Sequence, residues 1–215
     1  YHFKDLPYFR EGKMRPGLVH RIDKNTTGLL VVAKNELAMN KLARQFYEKT
    51  THREYVALVW GHFNKKEGVI TGHIGRNLKN RKVMQVFPNE EQGKNAITRY
   101  QVLEDLHYVS LVKCWLETGR THQIRTHFRY IHHPLFNDQD YGGDKIWKGT
   151  LTTKYRQFVH NCFEILPRQA LHAKNLGFIH PLSGKYIHLN SEIPNDMHQV
   201  IIKWQKYIAG RDPEV

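Results

Sequence analysis

The spacing of apolar and polar positions divides the chain into short strands and a few helices. Residues 1 to 16 are polar and irregular. Gly17 to Asp23 reads as a short strand, and Lys24-Asn25-Thr26-Thr27-Gly28 as a turn. Leu29 to Lys34 follows as a nearly continuous apolar strand. Asn35 is a good helix cap, and a helix from there to about Lys49 sets Leu37, Leu42 and Phe46 loosely on one side. Arg53 to Trp60 is rich in β-formers and stops at Gly61. Val69 to Ile74, Lys82 to Phe87, Ala96 to Leu103 and Tyr108 to Glu117 predict further strands. Thr118-Gly119-Arg120-Thr121 breaks the last of these. A helix from His122 to about His132 then places Ile124, Phe128 and Ile131 at i, i+4 and i+7. Residues 133 to 168, with Pro134, Gly142, Gly143 and Gly149, read as irregular. Gly177 to Leu189 reads as a hairpin turning at Pro181-Leu182-Ser183-Gly184. In the final helix Met197, Val200, Ile201, Trp204 and Ile208 form one apolar stripe that Gly210 ends. Many short strands with few helices between them predict an α+β fold with a mixed, mostly antiparallel sheet.

Composition narrows the class. The 215 residues suit one domain or two small ones, and 40% hydrophobic with 25% charged residues suits a globular chain. No apolar run approaches the roughly 20 residues of a membrane helix. The first residues lack the apolar core of a signal peptide. Cys114 and Cys162 stand far apart, which fits free thiols in a reducing cytoplasm better than a disulfide framework or a metal motif. Charge is the informative quantity: 33 Lys and Arg against 20 Asp and Glu give +13, with 15 histidines besides. Such an excess favours a polyanionic partner, either nucleic acid or an anionic membrane surface. No basic amphipathic helix with a Trp/Phe/Leu face stands out, which argues against the membrane.

Three segments carry candidate chemistry. In His20-Arg21-Ile22-Asp23, followed by Thr26-Thr27-Gly28, a strand ending in Arg-x-Asp brings a cation and a carboxylate to the sheet's end. Taken alone, a salt-bridged turn explains it as well. In Thr118-Gly119-Arg120-Thr121-His122-Gln123-Ile124-Arg125-Thr126-His127, a turn opens a helix whose N-terminus suits an anion. A solvated basic helix face carrying Arg125, Arg129 and His132 is the ordinary alternative. In His52-Arg53-Glu54-Tyr55-Val56-Ala57-Leu58-Val59-Trp60-Gly61, Tyr55 can stack on an unpaired base or handle a proton, or be a plain strand aromatic. His122 and His127 are five residues apart, about 140° out of line on a helix, so they predict no metal site. No P-loop, dinucleotide-binding, nucleophile-elbow or zinc-protease motif is present.

Together these segments resemble the pseudouridine synthase family that modifies large-subunit ribosomal RNA and some transfer RNA. The resemblance is carried by His20 through Lys34, Arg53-Glu54-Tyr55-Val56-Ala57, Thr118 through His127, Arg168-Gln169-Ala170-Leu171-His172-Ala173 and Phe178-Ile179-His180-Pro181, in the family's order over most of the chain. It implies a pseudouridine synthase-like fold, with residues 1–215 as the catalytic domain. It further implies that Asp23 is the catalytic aspartate, that Arg21 enters the RNA stack where the target base leaves, and that Tyr55 stacks on the extruded uracil. Arg125 matches the basic residue that pairs with the aspartate, Arg120 a phosphate contact, and Leu171 a pocket wall. No redox step or external group is needed, so neither cofactor nor metal is implied. The implied partner is RNA, ribosomal or transfer, for a cytoplasmic monomer that binds no membrane.

Measured against the family, the chain begins after a strand segment with a Lys-Pro-x-Gly-like motif and after any S4-type RNA-binding module. The stretch Leu135 to Gly143 is longer and more polar than the family loop it resembles. Two rival readings remain at this level. A non-catalytic RNA-binding or ribosome-assembly protein would share the charge. A metal-dependent nuclease would need acids such as Asp138, Asp140 and Asp144 to cluster.

Overall fold

Tyr55 through Gly61 form an unbroken buried run in the middle of the structure. They belong to a strand, β2 (His52–Trp60), that is covered on both faces. The computed structural model describes Leu6 and residues 17–88 and 92–210; apart from Leu6, the segment expected to be irregular at 1–16 lies outside these. The elements in chain order are β1 (Thr27–Gly28), α1 (Glu36–Glu48), β2, β3 (Glu67–Arg76), β4 (Met84–Phe87), β5 (Lys94–Asp105) and β6 (Val109–Leu116). After them come α2 (Gln123–Tyr130), a 3-10 turn (Gln139–Tyr141), α3 (Thr153–Ile165), β7 (Leu171–Ile179), β8 (Tyr186–Asn190) and α4 (Asn195–Ala209).

The strands form one sheet in the order β1-β7-β2-β6-β5-β3-β4, and β8 also pairs with β7. Every pairing is antiparallel except β1 with β7. The sheet is therefore mixed and mostly antiparallel, as expected. Because side chains alternate along a strand, β2 feeds two cores. Val56, Leu58 and Trp60 pack with Tyr155, Val159 and Cys162 of α3 and Met197, Val200 and Trp204 of α4. Tyr55, Ala57 and Val59 face the other way, onto Ile124 and Phe128 of α2. Cys114 and Cys162 are free and buried, and burial pushes both thiols up.

Helix α1 starts where Asn35 Oδ1 accepts the Ala38 N–H at 2.9 Å, the expected cap. The stripe expected on the last helix is the buried face of α4. Four expectations need correction. The strands read at 17–23 and 29–34 reduce to a bridge between Leu18 and Val32, while the short β1 lies inside the segment read as a turn. Gly28 is the reason: at φ +109° it lies so close to β7 that a Cβ would stand 2.2 Å from the Ala173 carbonyl oxygen. The stretch read as irregular contains α3, whose Thr152 hydroxyl caps Tyr155 N–H at 3.2 Å. The hairpin read from Gly177 is present, its ladder running from Asn175 with Asn190 to Ile179 with Tyr186, but its first strand, β7, already starts at Leu171, in the stretch left without a strand. Residues 134–138 are not a loose loop but are buried. Leu135 bridges to Val59, and the Phe136 N–H donates to the Leu58 carbonyl at 2.9 Å.

Candidate active site

Asp23 begins a tight turn, closed by the Thr26 N–H donating to its carbonyl at 3.0 Å. Asn25 takes the left-handed conformation (φ 68°) that Asn tolerates better than most residues. The turn is pinned from β7's leading edge. Gln169 Nε2 donates to the Lys24 carbonyl at 2.7 Å and to Thr26 Oγ1 at 3.2 Å. Arg168 forms a two-bond fork with Asp196 at 2.9 and 2.8 Å and reaches the Asn25 carbonyl at 3.5 Å. One residue further on, Thr27 Oγ1 and His172 Nδ1 are 3.0 Å apart. The Arg168-Gln169 segment thus holds the backbone that carries Asp23.

Asp23 lines a cavity of about 640 Å³, a size suited to a small organic ligand. Arg21, Tyr55, Arg120 and Leu171 line the same cavity, so five of the six residues singled out from the sequence meet there. Arg21 is exposed and Asp23 half-buried. Tyr55 is 8% exposed, set in the wall beside Leu171 and Ile124. A bulge in β7 falls at this point: Glu54 pairs with Asn175 and Tyr55 with Ala173, so Lys174 is the extra residue. Bulges of this kind re-aim side chains next to sites. Burial raises the Tyr55 hydroxyl to about 12, against the Arg53 charge and together with that of Asp23. The hydroxyl therefore stays protonated at neutral pH.

Arg125 departs from expectation. It is 3% exposed, so α2 has no solvated basic face at this position. Its fork does not close on Asp23: Nε and Nη2 donate to Asp138 at 2.7 and 2.6 Å, and Nη2 also donates to Asp140 at 2.8 Å. A buried guanidinium needs a carboxylate shaped to its fork, and Asp138, with a fully buried side chain, supplies one. Burial works against the Arg125 charge, but Asp138 and then Asp140 outweigh it, and the pKa rises. Asp23 contributes in the same direction, and its charge is also felt at Tyr55 and His122. The Tyr141 ring lies 4.8 Å from the same guanidinium.

The α2 N-terminus is occupied by its own residues. Gln123 Oε1 accepts from the Thr118 hydroxyl at 2.7 Å and from the Arg120 N–H at 2.9 Å. Arg120 itself is half-buried and donates from Nε to the Asn95 carbonyl at 2.9 Å. The histidines of this segment point to separate partners, His122 to the Tyr141 hydroxyl at 3.0 Å and His127 to Thr98 Oγ1 at 2.9 Å. Among the described residues no group of three His, Cys, Asp or Glu side chains could hold a metal ion.

Several site residues escaped the sequence reading. Arg53 and Lys49 line the cavity, and with Arg21 and Arg120 they make four cations against one carboxylate, Asp23, among the described residues of the lining. A signal for Arg53 existed: two residues before Tyr55 on a strand means the same face. His20 stacks on Phe46 at 4.4 Å, and its Nε2 accepts the Val31 N–H at 3.0 Å. The turn between β3 and β4 exposes Arg76, Lys79, Arg81 and Lys82. It is stiffened by Asn77 Oδ1, which accepts from the Lys79 and Asn80 N–H groups at 2.9 and 2.8 Å. Tyr141 ties this hairpin to α2, its hydroxyl accepting from the Met84 N–H at 2.9 Å and from Thr126 at 3.2 Å.

No helix among the described residues is long and apolar enough to cross a membrane. Comparison with known proteins agrees with the geometry. A protein of Chlorobaculum parvum named as an uncharacterized RNA pseudouridine synthase is 46% identical over 202 residues, 93% of this chain and 61% of that protein. Ribosomal large subunit pseudouridine synthase D of Zymomonas mobilis is 43% identical over 192 residues, 89% of this chain and 57% of that protein. The chain thus spans about half to three fifths of the length of the curated relatives it matches. Two human structures share the fold. RNA Pseudouridylate Synthase Domain Containing 4 has a TM-score of 0.68 at 20% identity, over 93% of this chain and 82% of that one. Domain Containing 1 has a TM-score of 0.65 at 26% identity, over 96% and 84%. Residues 2–130 match the family described as RNA pseudouridylate synthase, and the chain belongs to that family.

Proposed function

We propose that this chain is the catalytic domain of an enzyme that isomerises uridine to pseudouridine in structured RNA, with large-subunit ribosomal RNA as its substrate. The observation that carries the reading is the charge pattern of the cavity: among the described residues of its lining a single carboxylate, Asp23, stands among four cations, with Tyr55 in the wall. A polyanion is drawn to such a site, and the one acid stands where the bound nucleotide sits. The exposed basic hairpin of β3 and β4 extends the positive surface. The ribosomal assignment rests on relatives that bear the name ribosomal large subunit pseudouridine synthase D.

The reaction breaks the bond from ribose C1′ to uracil N1, turns the base and joins C1′ to C5, while the C5 proton is lost and N1 gains one. Atoms and electrons balance without an added group. The target leaves its stack at a cost of a few kcal/mol, and stacking on the Tyr55 ring returns about 1–3 kcal/mol. Arg21, exposed at the mouth, fills the gap left in the RNA. Asp23 acts on the sugar or on the ring, through either a covalent adduct or a glycal. Arg125 contributes its charge from behind, Leu171 closes the apolar wall, and Arg120 meets backbone phosphate. One copy of the chain supplies every group named.

The test is to incubate total RNA with the protein and with Asp23→Ala, then map pseudouridine by carbodiimide-stop sequencing. Stops that appear with the protein and vanish with Asp23→Ala are expected. Equal modification by both removes Asp23 from the chemistry. Tight, salt-sensitive binding with no modification at all leaves a non-catalytic RNA-binding protein.

A further inference from the structure

Arg53 is an ill-satisfied cation inside the cavity wall. Its side chain lines the cavity two residues before Tyr55, hence on the same face of β2. Nη2 donates one long bond, 3.3 Å, to the Leu116 carbonyl. Nε is shut off from water and has no acceptor among the described residues. Nη1 lies over Gly119, where a Cβ would stand 2.9 Å away. The guanidinium also flanks the Phe46 ring at 5.9 Å. Among the described residues no carboxylate forms an ion pair with it, whereas the buried Arg125 is paired twice. Burial lowers its pKa, the mark of a charge the folded protein does not compensate. The neighbouring His20 offers no negative charge. It is held near 4, by burial and then by Arg53 itself, and so is neutral at pH 7.

A half-buried cation without a counter-ion is unfavourable in the free protein. A bound anion removes the penalty. Neutral acceptors such as uracil carbonyls would satisfy N–H groups but leave the charge bare, so an anion is the fitting ligand. A guanidinium favours phosphate, whose oxygens match its fork. We propose that Arg53 is a phosphate-binding residue, gripping the backbone phosphate next to the target uridine while that uridine's base lies against Tyr55. This deepens, and rests on, the reading of the cavity as a uridine site. It separates Arg53 from Arg120, whose Nε already has a backbone acceptor, and from Arg21, which is exposed at the mouth.

The test uses uridine and uridine 3′,5′-bisphosphate as probes, with binding followed by NMR shifts in the protein and in Arg53→Gln and Arg53→Lys. The protein should prefer the bisphosphate over uridine by about tenfold or more, the scale of a hydrogen bond to a charged group. Arg53→Gln should lose most of that preference, the remainder coming from Arg120 and the other cations of the lining, and Arg53→Lys, with charge but no fork, should fall between. Urea melting of Arg53→Gln should show stability unchanged or raised, because an uncompensated charge has gone; a merely structural arginine would lower it. Preference for the bisphosphate that is undiminished in Arg53→Gln places the phosphate elsewhere and overturns the proposal. Failure of the protein to prefer or to bind the bisphosphate overturns it too. Pseudouridine mapping with the same preparation then tells whether the uridine site has fallen with it or stands without Arg53.

Discussion

Asp138→Asn removes one negative charge from a pair whose side chains are 4% and 0% exposed, and turns one of the two oxygens that accept from Arg125 into a donor. Asparagine keeps the size of Asp138 and an oxygen able to accept the Tyr141 N–H, which Asp138 takes at 3.3 Å. What changes is the environment of Arg125, left with Asp140 alone, whose side chain is 54% exposed. Breaking a buried ion pair from one side destabilises by about 3–5 kcal/mol. With Asp140 still in place, the lower end of that range, about 3 kcal/mol, is expected. For a chain of this length each kcal/mol lowers Tm by roughly 2–4 °C, so the midpoint should fall by about 6–12 °C. Urea unfolding at neutral pH reads the change as a shift of midpoint at constant slope. Asp140→Asn, at the exposed end, should lose less than about 1 kcal/mol. The double variant Arg125→Met with Asp138→Leu should be more stable than either single variant, because a buried pair replaced by apolar groups leaves no bare charge. If Asp138→Asn loses no more than Asp140→Asn, or if the two halves of the double variant simply add, the buried pair does not hold the 134–143 segment to α2.

Two further outcomes follow from the same geometry. If Asp23 acts as proposed, Gln169→Ala, and equally Gln169→Glu with its donor gone, should lower kcat roughly tenfold or more with KM nearly unchanged, because the turn that carries Asp23 loses its brace; a raised KM at unchanged kcat would instead mean that Gln169 serves RNA binding. Stability should decline in mild acid: burial, with Arg53 second in the case of His20, holds His20 and His127 near 4, below the 6.5 of an unfolded histidine. Between those values the unfolded chain binds the extra protons, so stability is full above pH 6.5 and falls toward pH 4. Each group contributes up to about 1.4 kcal/mol per pH unit, and equal urea midpoints at about pH 7 and pH 5 would contradict the assignment.

Local pattern was enough for elements whose own residues carry the instruction. The Asn35 cap placed α1, and the five-residue stripe from Met197 to Ile208 placed α4. The β-rich run from Arg53 to Trp60 placed β2, and the motif order placed the family. Helix α3 also has a stripe, through Tyr155, Val159 and Cys162. It was hidden because its aromatic, β-branched and polar residues are middling helix formers, and packing on α4 decides the matter. β7 was hidden at its start because His172, Lys174 and Asn175 do not read as a strand until β1, β2 and β8 supply the ladders.

The candidate site divides along the same line. Asp23, Arg21, Tyr55, Arg120 and Leu171 were singled out through motifs that resemble the family's, and the structure brings all five to one cavity. Which charges face one another was not legible in the motifs. That Asp138 takes the fork of Arg125, that Gln169 braces the turn after Asp23, and that Arg53 has no carboxylate partner among the described residues all depend on segments up to 145 residues apart in the chain. Sequence sets local propensity and the chemistry of each side chain; burial and pairing arise only when distant segments close on one another, and these decide how a charge is used.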